Sequence, residues 1–143
     1  MLLCSSVAAA RSHSSTQGAA ALKPLQFLGL TLVILGEALR KAGIVTARHN
    51  FTHRVQLTRR PQHTLVKHGV YAHVRHPGYL GWFIWSVSSQ ILLLNPCCTL
   101  GFTAAAWLYF RRRIRFEEAC LLQFFGSEYR EYMARTPTFI PGV

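Results

Sequence analysis

The sequence predicts an all-α, multi-pass integral membrane protein with about three membrane helices, two of them paired as a hairpin, and a C-terminal amphipathic helix. Hydrophobic residues make up 50% of the 143 residues and charged residues only 15%. The apolar residues gather in runs that basic residues bracket. The net charge of +11 comes from 16 Lys and Arg against 5 Glu. A nucleic-acid interface would need these cations on a soluble surface, so their position beside apolar runs favours membrane lipid as the partner and no nucleic acid.

Residues 1–23 differ in composition from the rest of the chain. They are rich in Ala and Ser and carry Arg11 but no acidic residue. That composition is typical of an organelle transit peptide, although its arginine content is low. A disordered tail explains it equally well. We therefore predict a disordered or targeting-like segment over 1–23 and a membrane domain over 24–143.

The first apolar run is Leu25–Val45. As a helix it would extend about 31 Å, which matches a hydrocarbon core of about 30 Å. Its second half contains Glu37, Arg40 and Lys41. Either these charges anchor the end of the helix at the lipid headgroups, or they face protein and mark a functional site. The sequence favours the anchor.

A second pair of apolar runs predicts the helical hairpin. Tyr79–Leu94 and Cys97–Phe110 are short, and Asn95-Pro96 supplies a tight turn between them. The connector Thr46–Gly78 before the hairpin and the cluster Arg111–Arg115, which we expect to end the second helix, are both basic. The positive-inside rule therefore predicts that both ends of the hairpin face the cytosol.

The C-terminal amphipathic helix is predicted from apolar residues at helical spacing. We expect Gly126 to end this helix and Ser127 to cap a second short helix. The apolar residues are Phe116, Cys120, Leu121, Phe124 and Phe125.

Common nucleotide and metal signatures are missing from the sequence. It contains no GxGxxG, no P-loop and no HExxH motif. Four His lie close together, but no Cys or carboxylate lies among them, so we expect no metal site. The adjacent pair Cys97-Cys98 has a poor spacing for a disulfide or for metal ligands.

A polar cluster lies where the connector meets the apolar runs. Arg113 and Glu117 are four residues apart, so one helix face presents a cation and an anion. This is either a surface ion pair or a pair of groups for ligands of opposite charge, and spacing does not separate the two. The cluster consists of Gln56, His63, Tyr71, Arg75, His76, Tyr79, Arg113 and Glu117.

Five stretches, in order and spacing, resemble the isoprenylcysteine carboxyl methyltransferase family. They are NFTHRVQ, HTLVKHGVYAHVRHPGYLGWFIW, LLNP, FRRRIRFEEACLLQFFGSEYREY and TPT. The similarity extends from about Gly29 to Pro137. RHPxY alone is less specific, because phospholipid methyltransferases and membrane sterol reductases carry similar stretches.

The resemblance implies an endoplasmic-reticulum membrane enzyme whose active site faces the cytosol. It would transfer a methyl group from S-adenosylmethionine (SAM) to the C-terminal carboxylate of the farnesyl- or geranylgeranyl-cysteine of CaaX-processed proteins. Arg113 would hold that carboxylate, and Arg113 and Glu117 would be the catalytic pair. The cofactor would be held by Gln56, His63, Thr64, Leu65, Val66, Tyr71, His76, Pro77, Gly78, Tyr79 and Glu117.

The implied reaction needs no general base, because a carboxylate with a pKa of about 4 is already ionised in the cytosol. Two alternatives stand beside it. Eukaryotic members of the family carry further membrane helices before the segment at Leu25, so one alternative is a non-catalytic, truncated membrane fragment. The other is a lipid-amine methyltransferase, against which the RRxxFEE context argues.

Overall fold

The computed structural model describes residues 2–52, 55–56, 58 and 61–143, with side chains from Leu22 onward. Over these residues the chain folds into helices and contains no strand, which confirms the all-α prediction. None of the described helices combines the length and the apolar character needed to cross a membrane. The helices are α1 (Leu2–Ala47), α2 (Pro77–Leu92), α3 (Pro96–Phe125) and α4 (Ser127–Arg135), with short 3-10 helices at Arg48–Asn50 and Gly69–Ala72.

Helix α1 contains the predicted run Leu25–Val45 and packs along α2 through a stripe of glycines. Gly29, Gly36 and Gly43 are spaced by seven residues, which places them on one face of the helix. A Cβ built on Gly36 would lie 2.8 Å from the carbonyl oxygen of Gly81. The two backbones therefore approach too closely for any side chain at this crossing. The division at residues 23 and 24 stays a prediction.

The predicted hairpin is formed by α2 and α3. Pro77 is the first residue of α2, a position where its missing N–H costs nothing. The turn after α2 places Leu94 at a positive φ of 55°. The Asn95 side chain then caps α3 by accepting a hydrogen bond from the backbone N–H of Cys98, at 3.1 Å.

Helix α3 corrects two predictions. The cluster Arg111–Arg115 does not end the helix, which continues to Phe125. Arginine is a good helix former, and the stripe Phe110, Ile114 and Glu118 is buried along this stretch, so packing holds it helical. The predicted amphipathic helix is thus the second half of α3. Gly126 ends it at a positive φ of 56°.

The C-terminal region folds back on α3. Helix α4 has Gly126 at its N-cap position and no side-chain cap, so the predicted capping by Ser127 is wrong. The Trp107 indole N–H donates to the carbonyl of Pro141 at 2.8 Å. Ile140 joins Ala106, Phe110 and Ile114 in the buried apolar core. The chain end thereby packs beside the residues of α3 that lead to the polar cluster.

Candidate functional site

A cavity of about 560 Å³ opens between the end of α1, the connector, the start of α2, the middle of α3 and α4. Such a volume is typical of a site for a cofactor or drug-sized ligand. Every residue predicted for the site lines this cavity except Pro77, which is buried at the start of α2. The predicted residues that line it are Gln56, His63, Thr64, Leu65, Val66, Tyr71, His76, Gly78, Tyr79, Arg113 and Glu117.

The connector is tied to the helices on both sides of the cavity. Asn50, the last residue of the 3-10 helix that follows α1, donates to the Thr64 hydroxyl and accepts from the Thr64 backbone N–H, both at 3.1 Å. The Tyr132 hydroxyl of α4 donates to the carbonyl of Tyr71 at 2.6 Å. Burial raises the pKa of Tyr71 to about 12, and the charge of Glu117 adds to the rise, so Tyr71 presents a protonated hydroxyl at cytosolic pH.

A hydrogen-bonded chain joins Arg113 to Glu117 through Tyr79. The Tyr79 hydroxyl donates to Glu117 Oε2 at 2.5 Å. The same hydroxyl oxygen accepts from Arg113 Nε at 2.9 Å. The two charges that lie four residues apart on α3 are therefore linked by a side chain of α2. The structure thus gives them a common hydrogen-bond partner on α2, and their role as a pair of ligand-binding groups stays a prediction.

Behind this chain lies a buried network around Glu118. Its Oε1 accepts from Arg75 Nε at 2.8 Å and lies 3.2 Å from His76 Nε2. The guanidinium of Arg75 also donates to the carbonyls of Met133 and Thr136. The Arg75 and Glu118 side chains are 9% and 10% exposed, so this network fixes the His76-Pro77 turn to α3 and to the residues after α4.

His76 lies between the two glutamates. Its Nε2 faces Glu118, and its Nδ1 is 4.0 Å from Glu117 Oε1. Its ring stacks on Tyr79, with 5.5 Å between centroids and 13° between planes. His63 lies at another part of the wall, in edge contact with Phe124 and Phe125.

Gly78 lines the cavity, and the packing around it does not require a glycine at this position. Among the described residues, a Cβ added to it would meet only Phe51 Cε2, at 4.0 Å. That is an ordinary van der Waals distance, in contrast to the 2.5 Å between a Cβ on Gly81 and the carbonyl oxygen of Gly36. The missing side chain at Gly78 therefore leaves space for a ligand to approach the backbone.

Several residues of the site were missed by sequence reasoning. Glu118 follows Glu117 directly, but the helical spacing that singled out Arg113 and Glu117 carries no information about it. Asn50 was not singled out as a site residue, because its partner Thr64 is 14 residues further along the chain. Other wall residues outside the prediction are Arg40, Trp82, Tyr109, Phe110, Cys120 and Leu121.

The comparisons with known proteins agree with this geometry. Residues 28–123 match the model of the isoprenylcysteine carboxyl methyltransferase (ICMT) family. A protein-S-isoprenylcysteine O-methyltransferase of Tribolium castaneum is 50% identical over 117 residues, which are 82% of this chain and 42% of the relative. The enzyme of that name from Homo sapiens is 49% identical over 117 residues, 82% of this chain and 41% of the relative.

A solved structure shares the fold. It is the eukaryotic intramembrane Ras methyltransferase ICMT, with a TM-score of 0.83 and 49% sequence identity over 86% of this chain and 45% of that chain. The chain thus spans less than half the length of these relatives. The family match includes the start of α2 and the part of α3 that carries Arg113 and Glu117. The chain belongs to the isoprenylcysteine carboxyl methyltransferase family.

Proposed function

We propose that this chain methylates the C-terminal carboxylate of a prenylated cysteine in CaaX-processed proteins, with SAM as the methyl donor. The observation that carries the proposal is the single cavity in which Arg113 and Glu117, joined by Tyr79, meet the connector residues of the family pattern. One wall thus offers a cation and an anion to two ligands of opposite charge.

The cavity fits SAM in size and in chemistry. Its volume of about 560 Å³ lies in the range that cofactor-sized ligands occupy. The Glu117 side chain is 27% exposed and suits a cationic group, and the backbone at Gly78 is open to close approach. When bound, SAM supplies an electrophilic methyl group on a positively charged sulfur. Residues of the connector and of the His76–Tyr79 turn would hold it.

Arg113 suits a carboxylate substrate. A guanidinium presents parallel donors in a fixed plane, which match the two oxygens of a carboxylate. The carboxylate is ionised at cytosolic pH, so Arg113 has no proton to move and instead orients the nucleophile and shields it from water. A protonated lipid amine would be repelled by the same cation, which disfavours the lipid-amine alternative.

We further propose that α1 and the α2–α3 hairpin lie in the endoplasmic-reticulum membrane, with the apolar stretches 25–45, 79–94 and 97–110 in lipid. Large apolar side chains are exposed along these stretches, among them Phe27 at 72% and Leu100 at 74%. Contiguous exposed apolar surface is typical of lipid or protein contact. The connector, the second half of α3 and α4 would lie at the cytosolic surface, where SAM is available and where a prenyl tail can remain in the bilayer.

Methyl transfer decides between the candidate functions. Membranes that contain this chain are incubated with methyl-labelled SAM and either N-acetyl-S-farnesylcysteine or phosphatidylethanolamine. We expect label in a base-labile ester of farnesylcysteine and none in the lipid amine. Label in the amine alone would support the lipid-amine reading. No transfer together with no SAM binding at millimolar cofactor would support a non-catalytic fragment.

A further inference from the structure

Tyr79 is the side chain through which the proposed substrate and cofactor sites meet. Its hydroxyl donates its one proton to Glu117 at 2.5 Å and accepts the Nε–H of Arg113 at 2.9 Å. A tyrosine hydroxyl can do both at once, because it has one donor and two acceptor lone pairs. Neither Arg113 nor Glu117 can turn about its side chain without disturbing this hydroxyl.

The ring of Tyr79 is held from several sides. It stacks on His76 at 5.5 Å and packs against Phe110 at 5.2 Å between centroids. The guanidinium carbon of Arg113 lies 5.5 Å from the centroid of the same ring. With the ring fixed in this way, the hydroxyl oxygen keeps its position and only the direction of its O–H bond can change. When Glu117 accepts that proton, a lone pair of the same oxygen is left for the Nε–H of Arg113, so the orientation of Glu117 affects Arg113 through this hydroxyl.

We infer that Tyr79 is a positioning residue that makes the binding of the substrate carboxylate and of the cofactor interdependent. A cation bound at Glu117 holds that carboxylate in place, which keeps the Tyr79 hydroxyl donating to it and the plane of Arg113 fixed. The ordering of Arg113 is then complete before the substrate arrives, so the substrate binds more tightly to the cofactor-loaded protein. This inference rests on the proposed function and adds to it a positive coupling between the two sites.

Coupling of this kind has a reciprocal signature. If the cofactor raises the affinity for the substrate by a certain factor, the substrate must raise the affinity for the cofactor by the same factor. Typical couplings between sites are roughly 5-fold or more. A residue that merely supports the fold would change stability without affecting this ratio.

The test uses the whole chain in lipid nanodiscs. The dissociation constant of N-acetyl-S-farnesylcysteine is measured with and without saturating sinefungin, a non-reactive SAM analogue that carries an ammonium group in place of the sulfonium. The dissociation constant of sinefungin is measured with and without N-acetyl-S-farnesylcysteine. In the unaltered protein, we expect each ligand to lower the dissociation constant of the other by the same factor, about 5 or more. In Tyr79→Phe, which keeps the ring contacts but removes the hydroxyl bridge, we expect this factor to be near 1. The control is Glu128→Gln, because this side chain is about half exposed and lies outside the cavity lining; we expect it to retain the coupling factor.

The outcomes separate this inference from the proposed function. If the unaltered protein binds both ligands but shows a factor of 1, or if Tyr79→Phe keeps the unaltered factor, Tyr79 does not couple the sites and the proposed function stands. If the unaltered protein binds neither ligand, both fail. Should Tyr79→Phe not fold, Arg113→Lys removes the Nε–H that the Tyr79 hydroxyl accepts but keeps a cation for the substrate carboxylate, and it should also give a factor near 1; an unchanged factor there contradicts the coupling.

Discussion

At the scale of single residues, the site depends on Glu118, a buried side chain that lies outside the cavity lining. Glu118 holds Arg75 and His76, and Arg75 reaches the carbonyls of Met133 and Thr136. A buried carboxylate and a buried guanidinium are costly to desolvate, and the loss of one partner leaves the other charge uncompensated. The RHPGY turn therefore keeps its position only while this pair is intact.

Glu118 should make the fold sensitive to acid. Burial raises its pKa, but the hydrogen bond from His76 and the charge of Arg75 outweigh burial and hold the pKa below its ordinary value of 4.5. A folded-state pKa below the unfolded-state pKa stabilises the fold at higher pH, and this stabilisation is lost as the pH falls below about 4.5. Glu118→Gln should lower the free energy of unfolding at pH 7 by about 3 kcal/mol and make stability less dependent on pH below 4.5.

Thermal unfolding followed by circular dichroism at pH 7 and pH 4 checks this prediction. The matched control is Glu128→Gln, since Glu128 forms an ion pair with Lys67 in which both side chains are about half exposed. Exposed pairs contribute little, so this variant should unfold as the unaltered protein does. Equal unfolding midpoints for the Glu118 and Glu128 variants at pH 7 would refute the structural role of the Glu118 network.

Gly78→Ala should separate ligand binding from folding. The added methyl group has room in the fold, and alanine has a higher helix propensity than glycine, so stability should be unchanged or slightly raised. The same methyl group reduces the space beside the backbone of the cavity, so SAM affinity should fall about tenfold or more, a loss of about 1.4 kcal/mol. Equilibrium dialysis with labelled SAM measures the loss.

Gly101→Ala is the matched control for Gly78→Ala. A Cβ at Gly101 would have no neighbour within 4 Å in the part of the chain that the structure describes, and Gly101 is also in a helix, outside the cavity lining. It should bind SAM as the unaltered protein does. Unchanged SAM affinity in Gly78→Ala would mean that the cofactor does not approach this turn.

At the scale of secondary-structure elements, the crossing of α1 and α2 sets the geometry of the site. Gly36 and Gly81 let the two backbones touch, and Gly43 lies against Pro77 at the start of α2, where a Cβ would be 3.0 Å from Pro77 Cγ. The first turn of α2 carries Gly78 and Tyr79, so the close approach of the helices positions both residues beside the cavity.

Gly81→Ala should therefore disrupt the packing of α1 and α2. Its Cβ would lie 2.5 Å from the carbonyl oxygen of Gly36 and 2.7 Å from the backbone N of Arg40, and backbone atoms cannot move aside as the end of a side chain can. Overpacking typically costs about 1–3 kcal/mol. We expect a lower unfolding temperature together with weakened SAM binding. Both are measured in lipid nanodiscs, with Gly78→Ala measured in the same way. Stability equal to that of Gly101→Ala would contradict the close crossing.

The elements also indicate what the sequence could and could not predict. The hairpin was predictable because Asn95-Pro96 interrupts two apolar runs, and a turn of this kind is a local signal. The continuation of α3 through Arg111–Arg115 was not predictable, because a run of arginines resembles the end of a membrane helix. That this run is helical depends on the burial of Phe110, Ile114 and Glu118 against residues that are distant in sequence. Likewise, the spacing of Arg113 and Glu117 is local, whereas Glu118 and its partner Arg75 are 43 residues apart.

At the scale of the whole molecule, basic residues and exposed apolar surface are concentrated at different ends, although Phe116 and Phe139 are exposed at the basic end. Large apolar side chains are exposed on α1 and on the α2–α3 hairpin, while Lys67, Arg113 and Arg115 belong to the end that carries the cavity, the connector and α4. A molecule with this arrangement can keep its apolar end in lipid and open its cavity to water. The proposed reaction requires this geometry, because the cofactor is polar and the prenyl tail is not.

Cysteine labelling checks the placement. In a chain with its other cysteines replaced, His68→Cys and Ser127→Cys lie on exposed positions of the connector and α4 and should react with a membrane-impermeant maleimide added to sealed microsomes. Cys97, exposed at the hairpin turn, should react only after detergent is added. Protection of His68→Cys together with labelling of Cys97 would invert the proposed orientation.

The most direct test of the account is the behaviour of Arg113→Lys beside Glu117→Gln. Lysine keeps the positive charge but loses the planar donor pair, and a misplacement of about 1 Å can cost about 100-fold in rate. SAM affinity and methyl transfer to N-acetyl-S-farnesylcysteine are measured separately for both variants. We expect Arg113→Lys to bind SAM normally and to lose roughly 100-fold in turnover, while Glu117→Gln loses SAM affinity first. Near-normal turnover in Arg113→Lys, or the same pattern in both variants, would contradict this expectation.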